Sequence, residues 1–322
     1  MSEPPVPAEP PVSADPPESA EPPLTSDASP ASEPGRQALR HGVTILPEMP
    51  WREAASLWSA AEDLGFDHAW TYDHLVWAGL PDSPWFAAVP TLAAAAGVTS
   101  TIGLGTFVSS PNYRHPYTFL RDVLTLDDLT EGRFLCGLGT GGDLDACILG
   151  EERTLRERVD RFHEFVPLLD RLLREDHVDH DGEVYRTREA RTLPGPARHR
   201  VPLLVAANGP RSVRLAATLA DGWITYGGRG DTVDAWFEHV AELVGRFDEV
   251  VSAAGREEVD RYLSLDSSPR FSLESVDLYA EMAGRAAQLR FTDVVTHWPR
   301  PDGPYAGDVQ VLEQVAAEVL GA

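Results

Sequence analysis

The chain has 322 residues, 51 Asp or Glu against 27 basic residues, and a net charge of −24 at pH 7. That balance excludes a nucleic-acid partner, which needs a basic face. All 27 basic residues are Arg, and the absence of Lys removes Schiff-base aldolases, pyridoxal-phosphate enzymes and P-loops.

Residues 1–38 read as a disordered Pro/Glu-rich acidic tail, with 11 prolines before residue 35 and few apolar side chains. The tail has no basic start or apolar core of a secretory signal, and no later run reaches the roughly 18 apolar residues of a membrane span. A cytoplasmic protein acting without a membrane is the expectation. Residues 39–322 suit one (β/α)₈ barrel, typically about 250 residues. Cys136 and Cys147 form no Cys-x-x-Cys pair and read as reduced and structural.

Eight short apolar runs lack polar alternation, as strands buried on both faces do. They are His41–Leu46, His68–Tyr72, Ile102–Val108, Arg133–Leu138, Pro202–Ala207, Gly222–Tyr226, Arg261–Leu265 and Thr292–Thr296. Amphipathic helices alternate with them; Leu155, Val159, Phe162, Val166, Leu169 and Leu173 fall on one face. Eight strand–helix units predict a closed TIM barrel, whose chemistry sits in the loops at the strands' C-terminal ends.

After the second strand come Asp73 and His74, a pair able to move a proton near neutrality or, more simply, a turn cap beside a polar pocket. Gly105–Pro116 follows the third strand, with Phe107 and Val108 at its start and Arg114 and His115 as candidate anion holders; a plain strand-to-helix turn is the alternative. The fourth strand ends in Gly137–Asp143, whose Thr140 and Gly141 suit a glycine-rich cofactor loop better than a Rossmann turn. After the fifth, Ala207, Asn208, Gly209, Arg211 and Ser212 open a helix at Val213, where free N–H groups and Arg211 suit a phosphate unless Ser212 is merely an N-cap. The loop Thr225–Gly230 is placed to close over the same ligand. His177 and His180 fall in a charged stretch read as a solvated turn, so no metal site is expected, and no Gly-x-Ser-x-Gly elbow is present. Trp77, Trp85, Phe86, Tyr113 and Trp298 are candidates for an apolar substrate pocket or for core. A borrowed cofactor doing the chemistry is the reading that elimination favours.

Taken together and in order, Asp73–His74, Gly105–Pro116, Gly137–Gly142, Ala206–Ser212 and Asp221-Gly222-Trp223 resemble the luciferase-like flavin-dependent oxidoreductases over residues 40–320. The resemblance implies a (β/α)₈ barrel enzyme using FMN or the deazaflavin coenzyme F420, by hydride transfer or by oxygen insertion into a small-molecule substrate. It implies that His74 sits near the reactive ring, handling the proton with Asp73 orienting it. Phe107–Val108 matches a non-proline cis peptide that forms a bulge behind the ring, Thr140 and Gly141 a loop alongside it, and Ala207–Gly209 the ribityl phosphate side. It further implies a homodimer and a separate flavin or F420 reductase. A non-catalytic flavin- or deazaflavin-binding barrel is the alternative. Two departures argue against sugar-phosphate substrates: Gly142 replaces the glutamate of the F420 sugar-phosphate dehydrogenases, leaving Asp143 as the nearby carboxylate, and there is no lysine.

Overall fold

A computed structural model of the protein describes residues 38–196 and 200–321. The expected tail lies outside the described residues except for Ala38. Among the described residues, ten strands and nine α-helices follow in chain order: β1 Arg40–Thr44, α1 Trp51–Asp63, β2 His68–Thr71, α2 Ala88–Ala96, β3 Gly103–Thr106, α3 Pro116–Leu129, β4 Phe134–Leu138, α4 Leu144–Ile148, α5 Leu155–Arg174, β5 Val178–Asp181, β6 Arg186–Ala190, β7 Leu203–Ala206, α6 Pro210–Leu219, β8 Gly222–Thr225, α7 Val233–Ala253, β9 Asp260–Ser264, α8 Val276–Gln288, β10 Asp293–His297 and α9 Val309–Val315. Eight strands pair in parallel in the cyclic order β1-β10-β9-β8-β7-β4-β3-β2 and close into a barrel. All eight expected strands are present: five lie within the expected bounds, and those beginning at Arg40, Asp260 and Asp293 are shifted by a residue or two.

The remaining two strands were not expected. β5 and β6 form a separate antiparallel hairpin where the sequence reads as a solvated turn. Its charges satisfy one another, His177 with Glu189 and Arg186 with Asp181, while His180 bonds Glu164 on α5.

Sequence-local signals start the helices. Thr154 and Glu157 form a capping box at α5, and Thr232, Ser275 and Asp308 cap α7, α8 and α9. The apolar face of α5 buries Phe162, Phe165, Val166, Leu169 and Leu173, but Leu155 at its first turn is 64 % exposed. The helix starts beyond the rim of the main core, so its first apolar residue has nothing to cover. That core lies between the barrel and the helix ring; a second, smaller one fills the barrel interior with Trp70, Leu204, Ile224, Tyr262 and Val295. Trp70 reaches so close to β3 that a Cβ on Gly105 would stand 2.3 Å from its ring.

At the opposite end from the loops just discussed, Arg40 bonds both Asp293 and Asp260, and His68 Nε2 meets Asp293 at 2.9 Å. The Trp70 indole donates to His68 Nδ1, which fixes the imidazole proton on Nε2, facing Asp293. Burial pushes the Asp293 carboxyl up, but the bonds from His68 and Arg40 outweigh it and hold it below the usual range. No helix among the described residues is long and apolar enough to cross a membrane.

Candidate active site

β3 ends at Thr106, passes through the cis peptide Phe107–Val108, whose side chains pack against the barrel-interior cluster, and meets β4 again by a bridge from Ser109 to Leu138. The bulge stands where the resemblance puts it. Ser109 N–H donates to Gly137 O at 2.8 Å and Gly139 N–H returns to Ser109 O at 2.8 Å, so the bulge and the glycine loop are one unit. Gly141 has φ +70°, and a Cβ there would strike Asn112 and Ser110. Asn112, buried, holds the loop from below through Gly142 O at 2.6 Å. Thr140 is half-buried on the same loop.

His74 is oriented, but not by Asp73. Its Nδ1 lies 2.8 Å from Asp145 Oδ2, and the other Asp145 oxygen accepts the Leu75 N–H at 2.8 Å. A carboxylate only accepts, so Nδ1 carries the proton and donates, and the ring's Nε2 is the basic atom, which nothing among the described residues bonds. Asp145, on α4, is 1 % exposed, whereas His74 keeps a quarter of its side chain open. Asp143, the carboxylate singled out from the sequence, is exposed at the start of α4 and caps nothing with its side chain.

Asp73 points elsewhere. It accepts from Ser109 Oγ, the Tyr113 hydroxyl and Arg114 Nη2, tying the loop after β3 to the loop after β2. Arg114 pairs with Asp73 through Nη2 while its buried Nη1 bonds nothing among the described residues, and His115 caps α3 through its Nδ1.

Across the barrel, Ala207 is buried and its carbonyl accepts the Trp223 indole N–H at 2.7 Å. Asn208 bonds Gly227 O and the Thr225 hydroxyl, joining the loops after β7 and β8. Gly209 is the N-cap of α6 and Pro210 its first residue, so the helix opens three residues before the expected Val213. Ser212 is in the first turn and buried, not a cap, and Arg211, half exposed, pairs with Asp160. A Cβ on Gly209 would meet nothing within 4 Å, so the helix N-terminus opens onto space. The loop Tyr226–Gly230 is held down on α7: Tyr226 O accepts the Trp236 indole, and Cβ atoms on Gly227 or Gly230 would strike Trp236.

A second polar chain was missed in the sequence. Asp266, after β9, accepts from His297 Nδ1 at 2.8 Å; His297 Nε2 meets the Tyr72 hydroxyl at 2.8 Å, and Tyr72 meets the Tyr305 hydroxyl at 3.2 Å. His297 ends β10 and Tyr72 directly follows β2, and burial raises the phenols of Tyr72 and Tyr305. The signal was present: Asp266 and His297 sit at strand C-terminal ends, the positions that carry function in this fold.

Of the apolar candidates, Trp77 stacks on Tyr305 and neighbours Trp85 at this mouth. Phe86 lines a groove outside the barrel with Met49 and Trp51, Tyr113 holds Asp73, and Trp298 packs against the main core. Cys136 is buried; Cys147 is exposed, so it packs no core.

This is the layout of a barrel enzyme of the oxidoreductase class, and comparison with known proteins narrows it. The sequence model described as luciferase-like monooxygenase matches residues 29–292, and the chain belongs to that family. It is 33 % identical over 246 residues to the F420-dependent glucose-6-phosphate dehydrogenase of Intrasporangium calvum, covering 71 % of this chain and 70 % of that one. It is 35 % identical to the F420-dependent hydroxymycolic acid dehydrogenase of Mycobacterium tuberculosis, covering 80 % and 69 %. Among solved structures, the coenzyme F420 dependent tetrahydromethanopterin reductase from Methanopyrus kandleri superposes with a TM-score of 0.72 at 18 % identity, over 88 % of this chain and 99 % of that one.

Proposed function

We propose that the protein is an F420-dependent oxidoreductase moving hydride between the deazaflavin and a small organic substrate. The observation that carries it is the His74–Asp145 dyad, which leaves Nε2 of His74 as a free base at the barrel mouth. F420 is preferred to FMN because the relatives just described are F420-dependent enzymes.

The residues present fit such a cofactor. The Phe107–Val108 bulge, Thr140 and Gly141 would flank the ring, and the open N-terminus of α6 with Ala207, Asn208, Gly209, Arg211 and Ser212 would receive its phosphate. When bound, the deazaflavin supplies the carbon that accepts or gives the hydride. Nε2 of His74 takes the hydroxyl proton of an alcohol undergoing oxidation, while Asp145 stabilises the resulting imidazolium. Asp73 acts on the scaffold, keeping the loops after β2 and β3 in register. A homodimer and a partner reductase enter this reading from the family resemblance, and a cytoplasmic setting from the sequence reading.

Titrating the full chain with F420 and with FMN, following tryptophan quenching, tests the cofactor. Saturable binding of F420 is expected, retained in His74→Ala while turnover drops by about 10²–10⁴-fold. Binding of FMN alone would redirect the reading to oxygen insertion, and F420 binding without turnover in any variant would leave a carrier.

A further inference from the structure

We infer that the substrate is a neutral alcohol with an alicyclic or aromatic body, or the ketone or aldehyde it becomes, and not a phosphorylated sugar. The inference rests on the cofactor reading above and concerns the half of the mouth formed by β2, β1, β10 and β9.

Charge is the first argument. Arg300, beside this half, bonds both oxygens of Glu48, with Nη1 also donating to the carbonyls of Asp302 and Pro304. The charge of Arg114 is matched by Asp73 through Nη2, its Nη1 buried and unbonded among the described residues. The carboxylates of Asp145 and Asp266, both buried, are matched here only by imidazoles. A phosphate would enter a field of its own sign. Arg229, exposed after β8, leaves the strand diametrically opposite β2 in the cyclic order.

Hydrogen-bond direction is the second. Asp266 can only accept, so a neutral His297 donates from Nδ1 and accepts at Nε2. Tyr72 must then donate to His297, and Tyr305 to Tyr72. Each phenol has one hydrogen, so Tyr305 turns only lone pairs outward. A substrate hydroxyl can donate to them, whereas a phosphate dianion has only acceptors to present.

Shape is the third. Tyr305 stacks on His297 at 3.7 Å and 8°, and Trp77 lies near-parallel to Tyr305 at 5.9 Å and 11°. Tyr72 stands edge-on between His74 and His297. The Tyr305 faces are thus covered by its neighbours, and the half-buried rings of Tyr72, Trp77 and Tyr305 make an aromatic wall that suits an apolar body. In the oxidation the carbinol C–H gives its electron pair and hydrogen to oxidised deazaflavin, the O–H proton passes to Nε2 of His74, and a C=O bond forms.

The test uses the full chain, with F420 binding measured first and reduction of F420 then followed with cyclohexanol, benzyl alcohol, glucose and glucose 6-phosphate. The neutral cyclic alcohols are expected to exceed glucose 6-phosphate in kcat/KM by at least about 100-fold, as a buried unpaired charge costs. Tyr305→Phe is expected to raise KM for the alcohols about tenfold with kcat and F420 affinity unchanged. Glucose 6-phosphate turned over as well as the alcohols, or F420 bound with no alcohol oxidised, overturns the substrate class and leaves the cofactor reading standing. No binding of F420 overturns the cofactor reading itself.

Discussion

Which of two carboxylates, Asp73 or Asp145, meets the His74 ring decides what that histidine can do. Asp73 and His74 are adjacent in the loop just after β2, yet Asp73 is bonded to Ser109, Tyr113 and Arg114, so the neighbour in sequence is not the partner in space. Asp145, 71 positions on, fills that role. Asp145→Asn keeps an acceptor for Nδ1–H and removes only the charge, so kcat should fall about tenfold with F420 affinity unchanged, whereas Asp145→Ala should fall further. Asp73→Asn should instead lower the melting temperature, since its three donors hold two loops together. Steady-state kinetics and calorimetry on the three variants separate the roles; an Asp73→Asn loss of turnover matching that of Asp145→Asn would restore the sequence-based assignment.

At the scale of elements, strands buried on both faces were legible because continuous apolar runs have few other uses. The bulge was legible only through resemblance, since Phe107–Val108 reads as ordinary strand. The β5–β6 hairpin was not legible: in β5 only Val178 is buried, and His, Asp, Glu and Arg dominate both strands. Alternation over four residues with one apolar position is too short a signal. The tyrosine–histidine chain was hidden for another reason, as its members come from the loop after β2, the turn after β9, β10 and the segment after it. The tight fit inside the barrel can be tested at β3. Gly105→Ala would drive a methyl into the Trp70 ring and Leu135 O, so it should cost about 2–3 kcal/mol in urea unfolding.

For the whole molecule, stability and acidity meet at Asp293. Its folded-state pKa is depressed, so its contribution is full above the ordinary carboxylate range and is lost as pH falls through the folded value. Asp293→Asn leaves Arg40 without one of its two carboxylates and should cost about 3 kcal/mol at neutral pH. The gap between variant and wild type should narrow as pH drops below that range. Urea midpoints measured across pH check this; a gap independent of pH would mean that the carboxylate's charge contributes nothing.

The same ion pair bears on how the chain folds. Arg40 and Asp293 are 253 positions apart, yet they join the first strand to the last. On the ribosome, β1 is made early and has β2 to lie against, but its other edge has no partner until nearly the whole chain has emerged. Through most of synthesis the protein is an open parallel sheet with one bare margin, the sort of edge that other strands can add to. Closure is thus a late, long-range event, slow by contact order, and the Arg40 clasp stabilises a ring that only a finished polypeptide can form.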